Sequence, residues 1–136
     1  MTAKEYLSRY RLINVRINMK IDQQRQLREL ATNISPSSSN GGHSSSVSDK
    51  VGTAVAKIAT LEQEIDAEID MLVKAKAEIE RTIADISDER LRLILFARYI
   101  NCMRWEQIAV TQSIELRWLY RLHGRALREV EKIIDH

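Results

Sequence analysis

Residues 49–86 read DKVGTAVAKIATLEQEIDAEIDMLVKAKAEIERTIADI, the longest regular pattern in this chain of 136 residues. An aliphatic residue stands at every seventh position, and further apolar residues fill the intervals. The first set is Val51, Ile58, Ile65, Leu72, Ile79 and Ile86, and the second is Val55, Leu61, Ile69, Ala75 and Ile83. Sustained apolar heptads predict one long helix with a coiled-coil seam, which Ser48 or Asp49 can cap. A single helix cannot bury such a seam alone.

The first segment, from about residue 2 to residue 32, is the predicted partner of this helix. Its apolar residues return at helical spacing at Tyr6, Tyr10, Ile13, Ile17 and Ile21. Residues 1–31 carry seven Lys/Arg against three Asp/Glu, whereas residues 49–86 carry five against nine. Opposite charges beside an apolar seam favour pairing of the two segments. We therefore expect an antiparallel helical hairpin, with a parallel coiled coil between two chains as the alternative.

The connection between these segments, residues 35–48, is rich in serine and holds the only proline. It offers little apolar surface to offset the entropy of ordering, so we expect a flexible loop at about residues 33–48. His43 lies in this loop as a solvated residue. The domain prediction is a helical hairpin at residues 1–86, followed by a small helical domain at residues 87–136.

The pattern changes after Ser87, where three shorter helical pieces replace the long one. Ser87 and Asp88 can cap the first, and a break follows near residues 101–103. Residues 105–110 form a short helix, residues 111–114 a turn, and residues 115–134 a longer helix. A supporting helix, a short helix, a tight turn and a second helix are typical of a DNA-binding helix-turn-helix.

The last helix separates its residue types by face when it is placed on a helical wheel. One arc is apolar, with Leu119, Leu122, Ala126, Val130 and Ile133. The opposite arc carries four arginines, flanked at its two borders by aromatic residues: Arg117, Arg121, Arg125 and Arg128, with Trp118 and Tyr120. A guanidinium group can bind phosphate or pair with guanine in the major groove. These six residues and Arg104 are the predicted DNA-binding residues, against the alternative of an ordinary solvated face.

Three stretches of the C-terminal third resemble the helix-turn-helix of sigma factor region 4: LRLILFARYI (91–100), WEQIA (105–109) and WLYRLHGRAL (118–127). The chain as a whole resembles a family of small phage and prophage proteins from Gram-positive bacteria. The resemblance implies a regulator of late-gene transcription that binds promoter or operator DNA, and RNA polymerase as a further partner. It places Trp105, Ile108 and Ala109 among packing residues of the first helix.

The sequence departs from the region-4 pattern around the turn. Ser113 stands where glycine is usual and Gln112 where an apolar residue is usual. Glu115 replaces the usual Ser or Thr cap, and Arg104 replaces Thr before the tryptophan. A left-handed backbone conformation costs serine more free energy than glycine, and the carboxylate of Glu115 repels phosphate.

Other functional classes have less support in the sequence. We expect no enzyme, cofactor or metal site, because no nucleophile–base pair, phosphate-binding glycine loop or ligand cluster is present. Cys102 is predicted to be a buried thiol, and His123 to pack or hydrogen-bond within its domain. Without a signal peptide or an apolar run long enough for a membrane span, we expect the cytoplasm of a bacterial host. Two alternatives stay open: an oligomeric DNA-packaging protein resembling the small terminase subunit, and a protein-interaction adaptor.

Overall fold

The computed structural model describes residues 1–33 and 44–135, with side chains from residue 47 onward in the second range. No strand occurs within these residues, so the described part of the chain is all-α, as the sequence predicts. The helices are α1 (Ala3–Asn33), α2 (Ser44–Ala84), α3 (Glu89–Leu95), α4 (Trp105–Thr111) and α5 (Leu116–Ile134), with a π-helical turn at Phe96–Ile100. His43, His136 and most of the predicted loop lie outside the described residues.

Helix α2 begins earlier than the sequence suggests. Its first residue is Ser44, so the predicted cap at Ser48 or Asp49 is wrong and the end of the predicted loop is helical. Serine is only moderately unfavourable inside a helix, and no proline interrupts the chain between residues 44 and 84. The long helix therefore extends into the serine-rich stretch.

The chain forms two compact units. The terminal unit contains Met1–Asn14 and Met71–His136, and the middle unit contains Val15–Asp70. The expected boundary at residue 87 does not coincide with this division. The residues before 15 and those from 71 to 86, which the sequence analysis assigned to the hairpin, belong to the same unit as α3, α4 and α5.

Within the middle unit, α1 and α2 contact each other through buried aliphatic residues and flanking polar pairs. Arg16 Nε lies 2.8 Å from Glu68 Oε2, and Lys20 Nζ lies 3.6 Å from Glu64 Oε2. Gln24 is buried and donates a hydrogen bond of 3.1 Å to the carbonyl oxygen of Ile58. From Arg16 to Lys20 to Gln24 the contacts move forward along α1, while their partners Glu68, Glu64 and Ile58 move backward along α2. Opposite charges accompany this contact, as the charge pattern of the two segments predicts.

The heptad pattern of α2 is buried in part: of the five predicted intervening positions, Leu61, Ala75 and Ile83 are buried or half-buried and the other two are exposed. The positions every seventh residue from Val51 are half-buried or buried. Among the intervening positions, however, Val55 and Ile69 are 57% and 42% exposed, whereas Ala54 is buried. Ile21 on α1 is also exposed, and Gln24 takes the buried position that follows Ile17. Near the start of α2 the buried position is thus Ala54, three residues after Val51, rather than Val55, four residues after it.

The core of the terminal unit joins both ends of the chain. Its largest fully buried side chains come from all five α-helices, and they include Leu7, Ile79, Ile94, Leu95, Ile108, Leu119 and Val130. Two polar contacts accompany this packing. The Tyr6 hydroxyl lies 2.8 Å from Thr82 Oγ1, and Arg9 Nη2 lies 3.0 Å from Glu78 Oε2. The start of α1 and the end of α2 therefore support α3, α4 and α5 directly.

The segment between α3 and α4 contains the predicted break. Asp88 caps α3 as expected, accepting hydrogen bonds from the backbone of Arg90 and Leu91. The backbone N–H of Asn101 donates to the carbonyl of Phe96, which closes the π-helical turn. Cys102 follows with φ 54° and is exposed, so the prediction of a buried thiol is wrong. The left-handed backbone at this position turns the chain out of the core before α4.

None of the helices in the described ranges combines the length and the apolar character that a membrane span requires.

Candidate nucleic-acid interface

The connection between α4 and α5 is a tight, hydrogen-bonded turn. The N–H of Ile114 donates to the carbonyl of Ala109, and the N–H of Ser113 donates to that of Val110. Ser113 has φ 55°, and Ile114 is buried beneath the turn. This pair of bonds with a left-handed residue is a Schellman motif, in which glycine is the usual left-handed residue. Serine therefore adopts the strained conformation that the sequence indicated for this position.

Helices α4 and α5 are held by buried apolar side chains on their inner faces. Ile108 and Leu119 are fully buried, while Trp105 and Ala109 pack at the edge of the same core. These are the packing residues of the short helix that the resemblance implied. Arg104 precedes α4 and is exposed, and its backbone N–H donates to Gln107 Oε1 at 3.4 Å.

The outer face of α5, defined here as Arg117, Arg121, Gly124 and Arg128, lies opposite this core. The side chains of Arg117, Arg121 and Arg128 are exposed. No carboxylate of residues 1–33 or 47–135 lies within 4.0 Å of a guanidinium nitrogen of these arginines, of Arg125 or of Arg104. The cationic groups are therefore not neutralised by ion pairs with the described part of the chain.

The predicted arginines divide into two sets. Arg125 and Arg128 line a groove of about 380 Å³ together with Asp88, Glu129 and Lys132. The guanidinium carbon of Arg125 lies 5.3 Å from the ring centroid of Trp118. Arg117 and Arg121 do not line this groove. The first set thus shares a groove with Asp88 and Glu129, whereas the second set lies outside that groove.

The aromatic residues predicted to border the arginines mainly support the fold. Trp118 is half-buried against the core. Tyr120 is 47% exposed and meets Trp105 edge to face, with ring centroids 5.6 Å apart. Trp105 in turn contacts His123 at 4.5 Å between centroids. Tyr120 is the more exposed of the two aromatic residues that border the arginines.

His123 lies inside this aromatic cluster, as expected for a residue that bonds within its domain. Its Nε2 is 2.7 Å from the Tyr99 hydroxyl, and Tyr99 is buried. Burial, together with the positive charges of Lys4 and Arg98, lowers the pKa of His123 to about 4. Burial also raises the pKa of Tyr99. Both rings are thus held neutral at physiological pH, and the neutral Nε2 can accept a hydrogen bond from the Tyr99 hydroxyl.

The lowered pKa of His123 predicts how stability depends on pH. In the unfolded chain histidine has a pKa of about 6.5, so the unfolded state binds the proton first as the pH falls. The stabilisation from neutral His123 is complete above that value and is lost as the pH falls towards 4. We expect urea denaturation to give a lower free energy of unfolding at pH 5 than at pH 7, with a smaller difference in His123→Gln. Equal pH dependence in the two proteins would contradict this assignment.

Two further cations near this cluster were missed by the sequence analysis. Arg98 donates to the carbonyl oxygen of Met103 at 3.0 Å, and its guanidinium carbon lies 4.6 Å from the ring centroid of Trp105. Lys4 is exposed on the first turn of α1, between buried Ala3 and Leu7, and its charge acts on His123. Lys4 is far from α5 in sequence, so no local pattern indicates this proximity.

Gly124 was quoted within the region-4-like stretch but not singled out. A Cβ atom built at Gly124 meets no heavy atom within 4 Å, although the residue lies in the middle of α5. No internal packing requires glycine here, and glycine inside a helix costs about 1 kcal/mol relative to alanine. The outer face of α5 therefore has, among its arginines, one position without a side chain.

Comparison with known proteins identifies a family. A family model described as "Protein of unknown function (DUF1492)" matches residues 32–131, which is well over half of the chain. No curated protein and no solved structure matches the chain. Residues 1–31, which contribute Ala3 and Leu7 to the core, lie outside the matched range.

Proposed function

We propose that this chain, which belongs to the DUF1492 family of proteins of unknown function, binds double-stranded DNA through the outer face of α5. The observation that carries the proposal is the exposure of Arg117 and Arg121 on a helix fixed by a tight turn and a buried inner face. Neither guanidinium has a carboxylate within 4.0 Å among the side chains of residues 1–33 and 47–135. Unpaired arginines on the exposed face of a rigid helix suit entry into the major groove.

The two sets of arginines have different roles in this proposal. Arg117 and Arg121, near the N-terminus of α5, contact base edges or phosphates in the groove. Arg125 and Arg128 share their groove with Asp88 and Glu129, which weakens their attraction for DNA. We assign them, with Lys4 and Arg104, to phosphates at the edge of the site, where affinity rather than sequence preference is set. The half-exposed ring of Tyr120 supplies an apolar edge.

We further propose that the arrangement of α3, α4 and α5 is a helix-turn-helix of the sigma region-4 type and that the target is promoter or operator DNA. The helix bounds, the Schellman turn at Ser113 and the buried position of Ile108 support the first part. The second part is supported by the resemblance to phage and prophage regulators. Within the middle unit, we propose an antiparallel pairing of α1 and α2, supported by the contacts of Arg16 with Glu68 and of Lys20 with Glu64.

The direct experiment is selection of bound sequences from a library of random DNA duplexes with the purified full chain. Enrichment of one motif would support a sequence-specific regulator. Recovery without a shared motif would limit the function to non-specific binding. Failure to retain any duplex at low salt, where arginine–phosphate attraction is strongest, would refute the proposal.

Gly124 offers a steric test that leaves the arginines in place. A Cβ atom at Gly124 meets no heavy atom within 4 Å, so we expect Gly124→Leu to stabilise the helix by roughly 0.8 kcal/mol. The same side chain protrudes from the face that we place in the groove, so DNA binding should fall about tenfold or more. Thermal denaturation and a binding titration on one duplex measure the two effects.

Gly52→Leu is the matched control. Gly52 lies inside α2, and a Cβ atom there also meets nothing within 4 Å. This variant should show a similar gain in stability with unchanged affinity. If Gly124→Leu bound DNA as tightly as Gly52→Leu, the outer face of α5 would not be the surface that enters the groove.

A further inference from the structure

The middle unit has an open groove between α1 and α2 that the proposed DNA site does not use. Its volume is about 760 Å³, and ten residues of the two helices line it: Gln23, Gln26, Leu27, Leu30, Thr53, Ala56, Lys57, Thr60, Leu61 and Glu64. Leu30 is 56% exposed, while Leu27 and Leu61 are half-buried. An apolar floor of this kind between two helices is typical of a surface that another element covers.

The two walls of the groove differ in side-chain size. The α1 wall carries Leu27 and Leu30, whereas the exposed side of the α2 wall carries Thr53, Ala56 and Thr60. These three residues follow one another at spacings of three and four, so they lie on one face of α2. Small side chains on that face allow a further helix to approach α2 closely, because interaxial distance depends on the side chains at the contact.

The charges of the groove indicate which helix fits. Lys57 and Glu64 are the only charged residues among those that line it, so the walls are neutral in sum. A neutral groove does not attract nucleic acid by charge. Lys57 and Glu64 stand seven residues apart, two helical turns or about 10.5 Å along the same side of α2. Thr60 and Leu61 lie midway between them.

This pattern is self-complementary. When two copies of α2 pack antiparallel about a twofold axis beside Thr60 and Leu61, Lys57 of each copy faces Glu64 of the other. An isologous interface requires such reciprocity, because one patch must match itself. Several other acidic residues of α2, including Glu62, Asp66 and Asp70, do not line the groove. Their charges therefore lie outside the groove, where the salt of the solution screens their mutual repulsion.

We propose that this groove is a self-association site, occupied by α2 of a second copy of the chain in antiparallel orientation. The twofold-related pairs of Lys57 with Glu64 set the register, and Leu27, Leu30 and Leu61 supply the apolar contact. A dimer of this kind carries two copies of the outer face of α5. The inference does not depend on DNA binding, because the mass of the particle in solution tests it without any nucleic acid.

Charge exchange gives the test. The full chain should be a dimer by sedimentation equilibrium or light scattering. Lys57→Glu and Glu64→Lys should each weaken the dimer about tenfold or more, because each replaces two attractive pairs by two repulsive ones. The double variant Lys57→Glu/Glu64→Lys should restore association to near the original strength. Lys74→Glu and Glu62→Lys, which change charge on α2 outside the groove, should leave the mass unchanged.

A second readout uses the position of the axis. In a Cys102→Ser background, Thr60→Cys should form a disulfide between chains under mild oxidation, whereas Gln63→Cys, which does not line the groove, should form it far more slowly. Circular dichroism of each variant checks that the helices remain intact, because Glu64 also contacts Lys20. A monomer at all concentrations, an oligomer that ignores the charge changes, or equal cross-linking at both positions would overturn the proposal.

Discussion

Arg121→Ala is expected to weaken DNA binding about 5- to 150-fold, which corresponds to about 1–3 kcal/mol for loss of one well-placed contact. Arg117→Ala should have an effect of the same order. Both side chains are exposed, and neither forms an ion pair with another side chain of residues 1–33 or 47–135. The thermal stability of the protein should therefore stay unchanged. Fluorescence anisotropy with a selected duplex, alongside thermal denaturation, separates the two effects.

Arg28→Ala is the control for this comparison. Arg28 is an exposed arginine of α1 in the middle unit, so its removal changes the net charge by the same amount. It should leave affinity nearly intact. When affinity is measured against salt, loss of a phosphate contact should reduce the slope of log affinity on log salt by about 1. If Arg28→Ala weakened binding as much as Arg121→Ala, attraction would come from net charge rather than from α5.

Leu7→Ala should lower the free energy of unfolding of the terminal unit by about 2–5 kcal/mol, the usual range for truncating a fully buried leucine. Leu7 is 0% exposed and packs in the same core as Leu119 and Val130 of α5. The substitution leaves a cavity under the helix that we assign to DNA, although Leu7 lies more than a hundred residues away in sequence. Urea denaturation followed by circular dichroism measures the change.

Leu12→Ala makes the same chemical change on the same helix, but Leu12 is 56% exposed. It should cost less than about 1 kcal/mol, because little apolar surface leaves water there on folding. Equal losses in the two variants would show that the start of α1 does not pack as described. A fragment of residues 87–136 lacks Leu7 and Ile79, so it should remain largely unfolded by the same reasoning.

The bounds of α3, α4 and α5 could be predicted because local chemistry determines them. Asp88 accepts two backbone hydrogen bonds at the start of α3, and the turn before α5 closes at Ser113. Such caps and turns involve neighbours in sequence, so a single sequence contains the necessary information. The start of α2 at Ser44 was missed because nothing local distinguishes it from the positions after it.

The burial pattern of α2 was harder to predict. Positions three and four residues after a heptad position differ by about 100° around the helix. The more hydrophobic residue of such a pair is not always the buried one. Ala54 is buried while the larger Val55 is exposed, and the polar Thr82 is buried where it bonds Tyr6. Which side of a helix meets its partner depends on contacts between distant segments, and those contacts are not encoded in local periodicity.

The arginines of α5 were found from the helical wheel, but their division into two sets was not. A wheel gives the direction of a side chain and not its neighbours, so it could not show that Arg125 and Arg128 share a groove with Asp88. The position of Lys4 beside His123 was equally inaccessible, because it depends on packing of α1 against a helix more than a hundred residues later.

The shared core of the terminal unit has a consequence for biosynthesis. Ala3 and Leu7 are synthesised more than a hundred residues before the α5 side chains of the same core. The middle unit, whose contacts join nearer segments, can assemble while translation continues. The core around Leu7 is therefore complete only after α5 has been synthesised, later than the contacts of the middle unit.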